Sequence, residues 1–234
     1  MAETAPGEMP ILRKNRTSTG IADLDIILEG GYPSPGNILV VGPGGTEKAA
    51  FAYHFAASAG PNENAYIICA TTSPANIISK AATMGIDLSR VFFIDCYSTT
   101  LGSGEVKATD RIRVVPGPSA LNDVSLMLND AIKESTGKNM RVVFDTLSTF
   151  VLYNPKDSIR KFLSVIEGRL TSVGATTLYL VDEGVHDKQL LSLLEHGMDG
   201  IYTLADRGGK FVLMVPEVEM EIPIRVGPSG ITIV

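Results

Sequence analysis

The run Gly42-Pro43-Gly44-Gly45-Thr46-Glu47-Lys48-Ala49 carries the most specific chemical signal in this 234-residue chain. A loop built to hold phosphate has the form G-x-x-x-x-G-K-[ST] between a strand and a helix. Its glycines let backbone N–H groups turn toward the anion, its lysine reaches the terminal phosphates, and its last hydroxyl holds Mg. Gly42 and Lys48 stand where that pattern wants them, Gly44 and Gly45 free the backbone, and Thr46 takes an unconstrained position. Glu47 replaces the second required glycine and brings a carboxylate beside the place of a triphosphate, while Ala49 replaces the hydroxyl and can coordinate nothing. Taken alone, the run reads equally well as a glycine-rich strand-to-helix turn with Lys48 solvated on the first helical turn. The dinucleotide fingerprint G-x-G-x-x-G also breaks at Glu47, and no acidic residue closes the second strand, at 69–72, to hold a ribose.

Three aspartates, Asp95, Asp145 and Asp182, directly follow apolar runs, which sets them at the carboxyl edge of a parallel sheet, where α/β proteins bind ligands. With Glu47 beside them the crevice is expected to be acidic, repelling a triphosphate unless Mg offsets the charge. A divalent cation is conceivable there, although strand-end aspartates are more often satisfied by local backbone N–H groups. His54, His186 and His196 share no ligand spacing and form no Ser/His/Asp order, so they are read as structural or surface residues and no metal site is assigned.

The elements that must position these groups follow from hydrophobic period. Short runs rich in β-branched residues at 37–41, 65–69, 91–94, 141–144 and 176–181 predict strands buried on both faces. Between them lie helical periods: 50–59 after the glycine loop, Leu121, Val124, Leu128 and Ala131, then Ile159, Phe162, Leu163, Ile166 and Leu170, then Leu190, Leu193 and Leu194. Such alternation means a parallel sheet with covering helices. Toward the C-terminus, 201–204 and 211–215 flank a hairpin-like linker with Asp206, Gly208 and Gly209. Beyond it Val218, Met220, Ile222, Ile224 and Val226 alternate with Glu217, Glu219, Glu221, Pro223 and Arg225. That pattern predicts an edge strand with a solvated acidic face. Residues 98–118 form one long irregular stretch, a surface excursion or a functional loop.

Composition bounds the function. The chain is 44% hydrophobic with net charge −6 and has no Lys/Arg run, so it suits one domain and gives nucleic acid no electrostatic footprint. Cys69 and Cys96 lack a C-x-x-C spacing and are expected to be buried in a reducing, cytoplasmic protein. No apolar run reaches the ~18 residues of a membrane span, and residues 1–17 are expected to be a flexible extension before a domain at 18–234.

The stretch Ser18-Thr19-Gly20-Ile21-Ala22-Asp23-Leu24-Asp25 through Gly30-Gly31-Tyr32-Pro33, leading into the glycine loop, resembles the opening of the KaiC/RadA-like branch of the RecA superfamily. Arg141-Val142-Val143-Phe144-Asp145-Thr146-Leu147-Ser148 resembles that family's Walker B strand. Gly184-Val185-His186-Asp187 and Asp199-Gly200-Ile201 are similar to its later strands, especially in single-domain archaeal members. The similarity spans residues 18–215. It implies a three-layer RecA-like P-loop fold with a C-terminal antiparallel β extension, and ATP binding with Mg, often in ring-shaped hexamers, with hydrolysis serving clock, recombination or signalling functions.

The resemblance also says what this chain lacks. Where the family carries adjacent water-activating glutamates, the segment here reads Thr71-Thr72-Ser73-Pro74. A hydroxyl has a pKa far too high for general-base work near neutrality. Where a late Lys-x-Arg pair would reach a neighbouring γ-phosphate, Met214-Val215-Pro216 and the three glutamates stand instead. The expectation is therefore a non-hydrolysing domain that acts through a protein partner or an active paralogue, in a homo-oligomer or mixed ring. An ATP- or ADP-binding sensor using Gly42 to Ala49 and Asp145 is the alternative, and a working ATPase with substitute residues the third.

Overall fold

The computed structural model describes residues 15–101 and 108–234. All but the last three residues of the expected 1–17 extension, and residues 102–107 of the 98–118 stretch, lie outside the described residues.

A short ribbon, β1 (Arg16–Thr17) paired with β2 (Tyr32–Pro33), encloses α1 (Ala22–Ile27). The main sheet follows: β3 (Gly36–Gly42), β4 (Glu63–Cys69), β5 (Phe92–Asp95), β6 (Ile112–Val114), β7 (Asn139–Asp145), β8 (Thr176–Asp182), β9 (Gly200–Asp206), β10 (Phe211–Met214), β11 (Ile222–Gly227) and β12 (Gly230–Ile233). Its ten strands lie in the order β12-β11-β10-β9-β3-β8-β7-β4-β5-β6. From β9 to β6 every pairing is parallel, and β9 to β12 continue antiparallel. The helices are α2 (Thr46–Ala57), α3 (Pro74–Thr83), α4 (Leu121–Glu134), α5 (Leu147–Tyr153), α6 (Lys156–Ser172) and α7 (Lys188–Glu195).

Alternation along β3 explains the three layers. Ile38 and Val40 join a core with Phe51, Tyr53 and Phe55 of α2 and Ile77 of α3. Leu39 points the other way, into a core with Phe144, Tyr179, Leu128 of α4, Phe150 of α5 and Phe162 of α6. The helical periods land as expected, with Ile159, Phe162, Leu163, Ile166 and Leu170 forming the buried stripe of α6.

Two expectations are corrected. The chain adds β12, which becomes the sheet edge, so β11 is an interior strand. Pro223 stands in it as the second residue, with its carbonyl accepting the Val234 N–H at 3.0 Å. The glutamates precede β11 rather than decorate an edge. Glu217 accepts from Arg16 Nη1 at 3.1 Å and from the Tyr202 hydroxyl at 3.0 Å, while Glu221 pairs with Arg207 at 2.5 Å. The 98–118 stretch is also not wholly irregular: it contains a 3-10 turn at Ser98–Leu101 and the opposite edge strand β6.

The opening motif does structural work. Asp25 gathers the Ser18 hydroxyl at 2.5 Å, the Thr19 N–H at 2.7 Å and the Thr19 hydroxyl at 2.6 Å, which folds the chain back onto α1. Gly20 has φ of 82° and packs so close to α2 that a Cβ would fall 2.3 Å from the His54 carbonyl oxygen. Arg141 of β7, buried, ties that motif to the sheet. It donates to the Ser18 carbonyl at 2.8 Å, the Phe55 carbonyl at 3.0 Å and the Ser58 hydroxyl at 2.7 Å, and grips Glu63 at 2.8 and 3.1 Å.

His54 of α2 joins the far edge. Its Nε2 accepts the Ile231 N–H of β12 at 2.9 Å, and burial holds its pKa below the usual imidazole value against the opposing hydrogen bond to Gly20. A neutral imidazole is therefore part of the fold, and its stabilising effect, full above the unfolded pKa near 6.5, is lost as pH falls from there through the lower folded value. We expect the parent to lose more stability between pH 7.5 and 5 than a His54→Gln variant does, read as the difference between their denaturant-unfolding free energies at the two pH values.

Candidate functional site

The parallel register sets Gly42 opposite Asp182 and Cys69 opposite Asp145, so the ends of β3, β8, β7 and β4 bring the glycine loop and two carboxylates to one edge. Gly42 is required by packing, since a Cβ there would lie 2.8 Å from that of Leu204 on β9. Lys48, on the first turn of α2, is buried rather than solvated. Its Nζ donates to Asp182 Oδ1 at 2.5 Å, to the Val181 carbonyl at 2.8 Å and to the Gly42 carbonyl at 3.3 Å.

Two carboxylates, one from the loop and one from β8, stand beside the exposed Gly44 and Gly45. A Cβ on Gly45 would lie 3.1 Å from Glu47 Oε2, and one on Gly44 would lie 3.6 Å from Asp182 Oδ1, so two carboxylates overhang the glycines. Ala49 packs against the apolar core behind α2. Thr46 opens that helix, and its side chain lies outside the described part of the structure. As they stand, these groups do not fit Mg-ATP: the cation that would meet phosphate is already bonded, no hydroxyl is available at position 49, and negative charge occupies the cradle.

Asp145 closes β7 beside this pair. Burial pushes its carboxyl up to about 6, with Asp182 adding to the rise, while Lys48 and Lys80 of α3 oppose it. Thr71 and Thr72 lie across the edge from it. The Thr71 hydroxyl shares a 3.0 Å hydrogen bond with Thr149, and Thr72 accepts from the Asn76 side chain at 3.1 Å. The next residues, Ser73 and Pro74, build the start of α3, with Ser73 capping the Asn76 N–H at 3.3 Å and Pro74 at a position that needs no N–H.

Asp95 is not part of this constellation. It is buried and accepts the Tyr97 and Ser98 N–H groups at 2.9 Å each, the local satisfaction expected for a strand-end aspartate. Asp182 departs from that expectation, because its carboxylate goes to Lys48. His186 departs as well, since its Nε2 lies 2.8 Å from the Ser148 hydroxyl, which itself accepts the Asp182 N–H at 2.8 Å. Burial lowers the His186 pKa and Lys48 assists, against Asp182 and Asp187. His54 is structural, as expected. Sequence reasoning missed Ser148 and Lys80 as parts of this edge: one is an ordinary first-turn residue of α5, the other a lysine on an exposed helix face. Among the described residues no group of three or more His, Cys, Asp or Glu side chains is placed to hold a metal ion, and no helix is long and apolar enough to cross a membrane.

Comparison with known proteins agrees with this architecture. A family model described as "ATPase: KaiC" matches residues 17–218. A UPF0273 protein of Thermotoga maritima is 26% identical over 197 residues, 81% of this chain and 79% of that one. The circadian clock oscillator protein KaiC of Prochlorococcus marinus is 26% identical over 181 residues, 76% of this chain but 35% of its own length. The crystal structure of a KaiC-like protein from Pyrococcus horikoshii superposes with a TM-score of 0.72 at 19% identity, covering 95% of this chain and 100% of that one.

The electrostatics of Asp145 can be tested directly. A carboxyl held above its unfolded value weakens the fold where it is ionised, so the penalty is present above about pH 6 and absent below the unfolded pKa near 4. Asp145→Asn is expected to stabilise the ligand-free protein at pH 7.5 by on the order of 1–3 kcal/mol, with the gain fading as pH falls toward 4, as measured by denaturant unfolding.

Proposed function

From the premise that the chain belongs to the KaiC family of ATPases, we propose that it is a non-hydrolysing member, a regulatory or scaffolding domain that acts through contacts with a protein partner or an active paralogue. The observation that carries this reading is the pairing of Thr71 with Thr149: where a base would be needed to take a proton from water, two hydroxyls hydrogen-bond to each other. The Lys48–Asp182 ion pair points the same way. Phosphoryl transfer depends on positioned positive charge, and here the buried ammonium is already neutralised. Apolar surface for a partner is available at the end of α5, where Leu152 and Tyr153 are exposed.

A second reading, an ATP- or ADP-binding sensor with little turnover, is favoured by Lys48 and Asp145, both retained at the carboxyl edge. The two separate in one set of measurements. Phosphate release from Mg-ATP is expected to be the same for the parent and Lys48→Ala. Calorimetric titration with Mg-ATP is expected to show binding only after Glu47→Gly and Ala49→Thr are introduced together. Tight binding to the unaltered chain without turnover selects the sensor, and release that vanishes in Lys48→Ala overturns the non-hydrolysing reading.

A further inference from the structure

Building on the reading of a vacated phosphate site, we infer that Asp182 is the residue that closes it: its carboxylate stands in for a bound anion on Lys48, and a polyphosphate group can engage the loop only when that carboxylate is neutralised or displaced.

Counting donors supports the assignment. An ammonium group has three N–H donors. Lys48 spends them on Asp182 Oδ1, the Val181 carbonyl and the Gly42 carbonyl, at 2.5, 2.8 and 3.3 Å, so none is left for a ligand. Two of those acceptors are strand-end carbonyls that accompany the fold. The third is the only charged one, and it overhangs the glycines, with Oδ1 3.6 Å from where a Cβ of Gly44 would be. A phosphate approaching the loop amides would therefore meet a carboxylate before it met the lysine.

The carboxylate is also held in place from behind. Asp182 ends β8 directly opposite Gly42, and its N–H is anchored on the Ser148 hydroxyl at 2.8 Å, which is in turn bonded to His186 at 2.8 Å. The Glu183 N–H donates to the Gly42 carbonyl at 2.8 Å, fastening the strand end to the loop from the next residue. The Lys48 side chain is 4% exposed and that of Asp182 24%, so the pair is desolvated on the lysine side while the carboxylate faces the crevice. Separating them without a replacement anion leaves a buried, unpaired ammonium, which is strongly unfavourable. A polyphosphate is such a replacement, and it must outcompete a carboxylate tethered in contact. Glu47 adds repulsion over the same glycines but does not touch Lys48 among the described contacts, so Asp182 rather than Glu47 sets the barrier.

The test uses pyrophosphate without metal, which isolates the loop and lysine from the missing Mg ligand at Ala49. Calorimetric titration of the full chain is expected to give Asp182→Asn an affinity at least roughly tenfold above the parent, a gain of about 1.4 kcal/mol. The gain should disappear in Asp182→Asn combined with Lys48→Met. A folded Asp182→Asn chain with unchanged affinity overturns the inference, as does a gain that persists without Lys48, which would mark a bulk charge effect. The parent alone supplies a second measurement should the variant not fold: mass-spectrometric mapping of amine acylation should find Lys48 protected while the exposed Lys133 reacts. Equal labelling of the two overturns the closed site. Lys48-dependent turnover of ATP by the parent would instead overturn the non-hydrolysing reading, so the two failures are distinguishable.

Discussion

Everything at the carboxyl edge follows from the parallel register of β3, β8, β7 and β4. Parallel strands in register end at the same level, so whatever follows each strand is delivered to one crevice. In this chain β3 delivers the glycine loop, β8 delivers Asp182 and β7 delivers Asp145. A shift of one residue in β8 would turn Asp182 to the opposite face and leave Lys48 without its partner. The sheet is buried on both sides, which specifies the register strongly, and the chemistry of the edge is a by-product of that packing.

Given that delivery, the charges sort themselves. Two carboxylates, Asp145 and Asp182, share the edge with one buried ammonium, and a third, Glu47, stands by Gly45. Lys48 bonds Asp182 directly, and its charge also favours the ionised form of Asp145 without overcoming the cost of burying that carboxyl. Burial is what raises the Asp145 carboxyl to about 6, with Asp182 adding to the rise and Lys48 and Lys80 opposing it. In the ligand-free protein the buried ammonium is thus matched by a carboxylate of the fold itself.

Family likeness and catalytic likeness rest on different residues. The opening motif survives because Asp25, Gly20 and Arg141 hold the ribbon, α1 and α2 against the sheet, and each has steric or hydrogen-bonding work that few substitutes could do. Thr71, Thr72 and Ala49 carry no comparable structural duty. The two threonines bond to neighbouring polar groups and the alanine packs against the core, so the fold accommodates them.

The elements were legible from the residues because their signals are local. Two-faced burial makes a strand such as β8 a continuous apolar run, a 3.6-residue stripe makes α6 recognisable, and a glycine loop between strand and helix announces itself. From these came the layers, the antiparallel extension and the carboxyl-edge placement of Asp145 and Asp182. The tertiary structure alone decided the pairings. Lys48 and Asp182 are 134 residues apart, and Ser148 and His186 38 apart, so no pattern along the chain says which carboxylate an ammonium will choose. The edge assignment of β11 failed for a different, local reason: Pro228 and Ser229 turn the chain straight into β12, a four-residue strand too short to announce itself by period, and that strand takes the margin. Period reports how a residue is buried, whereas partnership is set by the three-dimensional meeting of segments that sequence spacing does not encode.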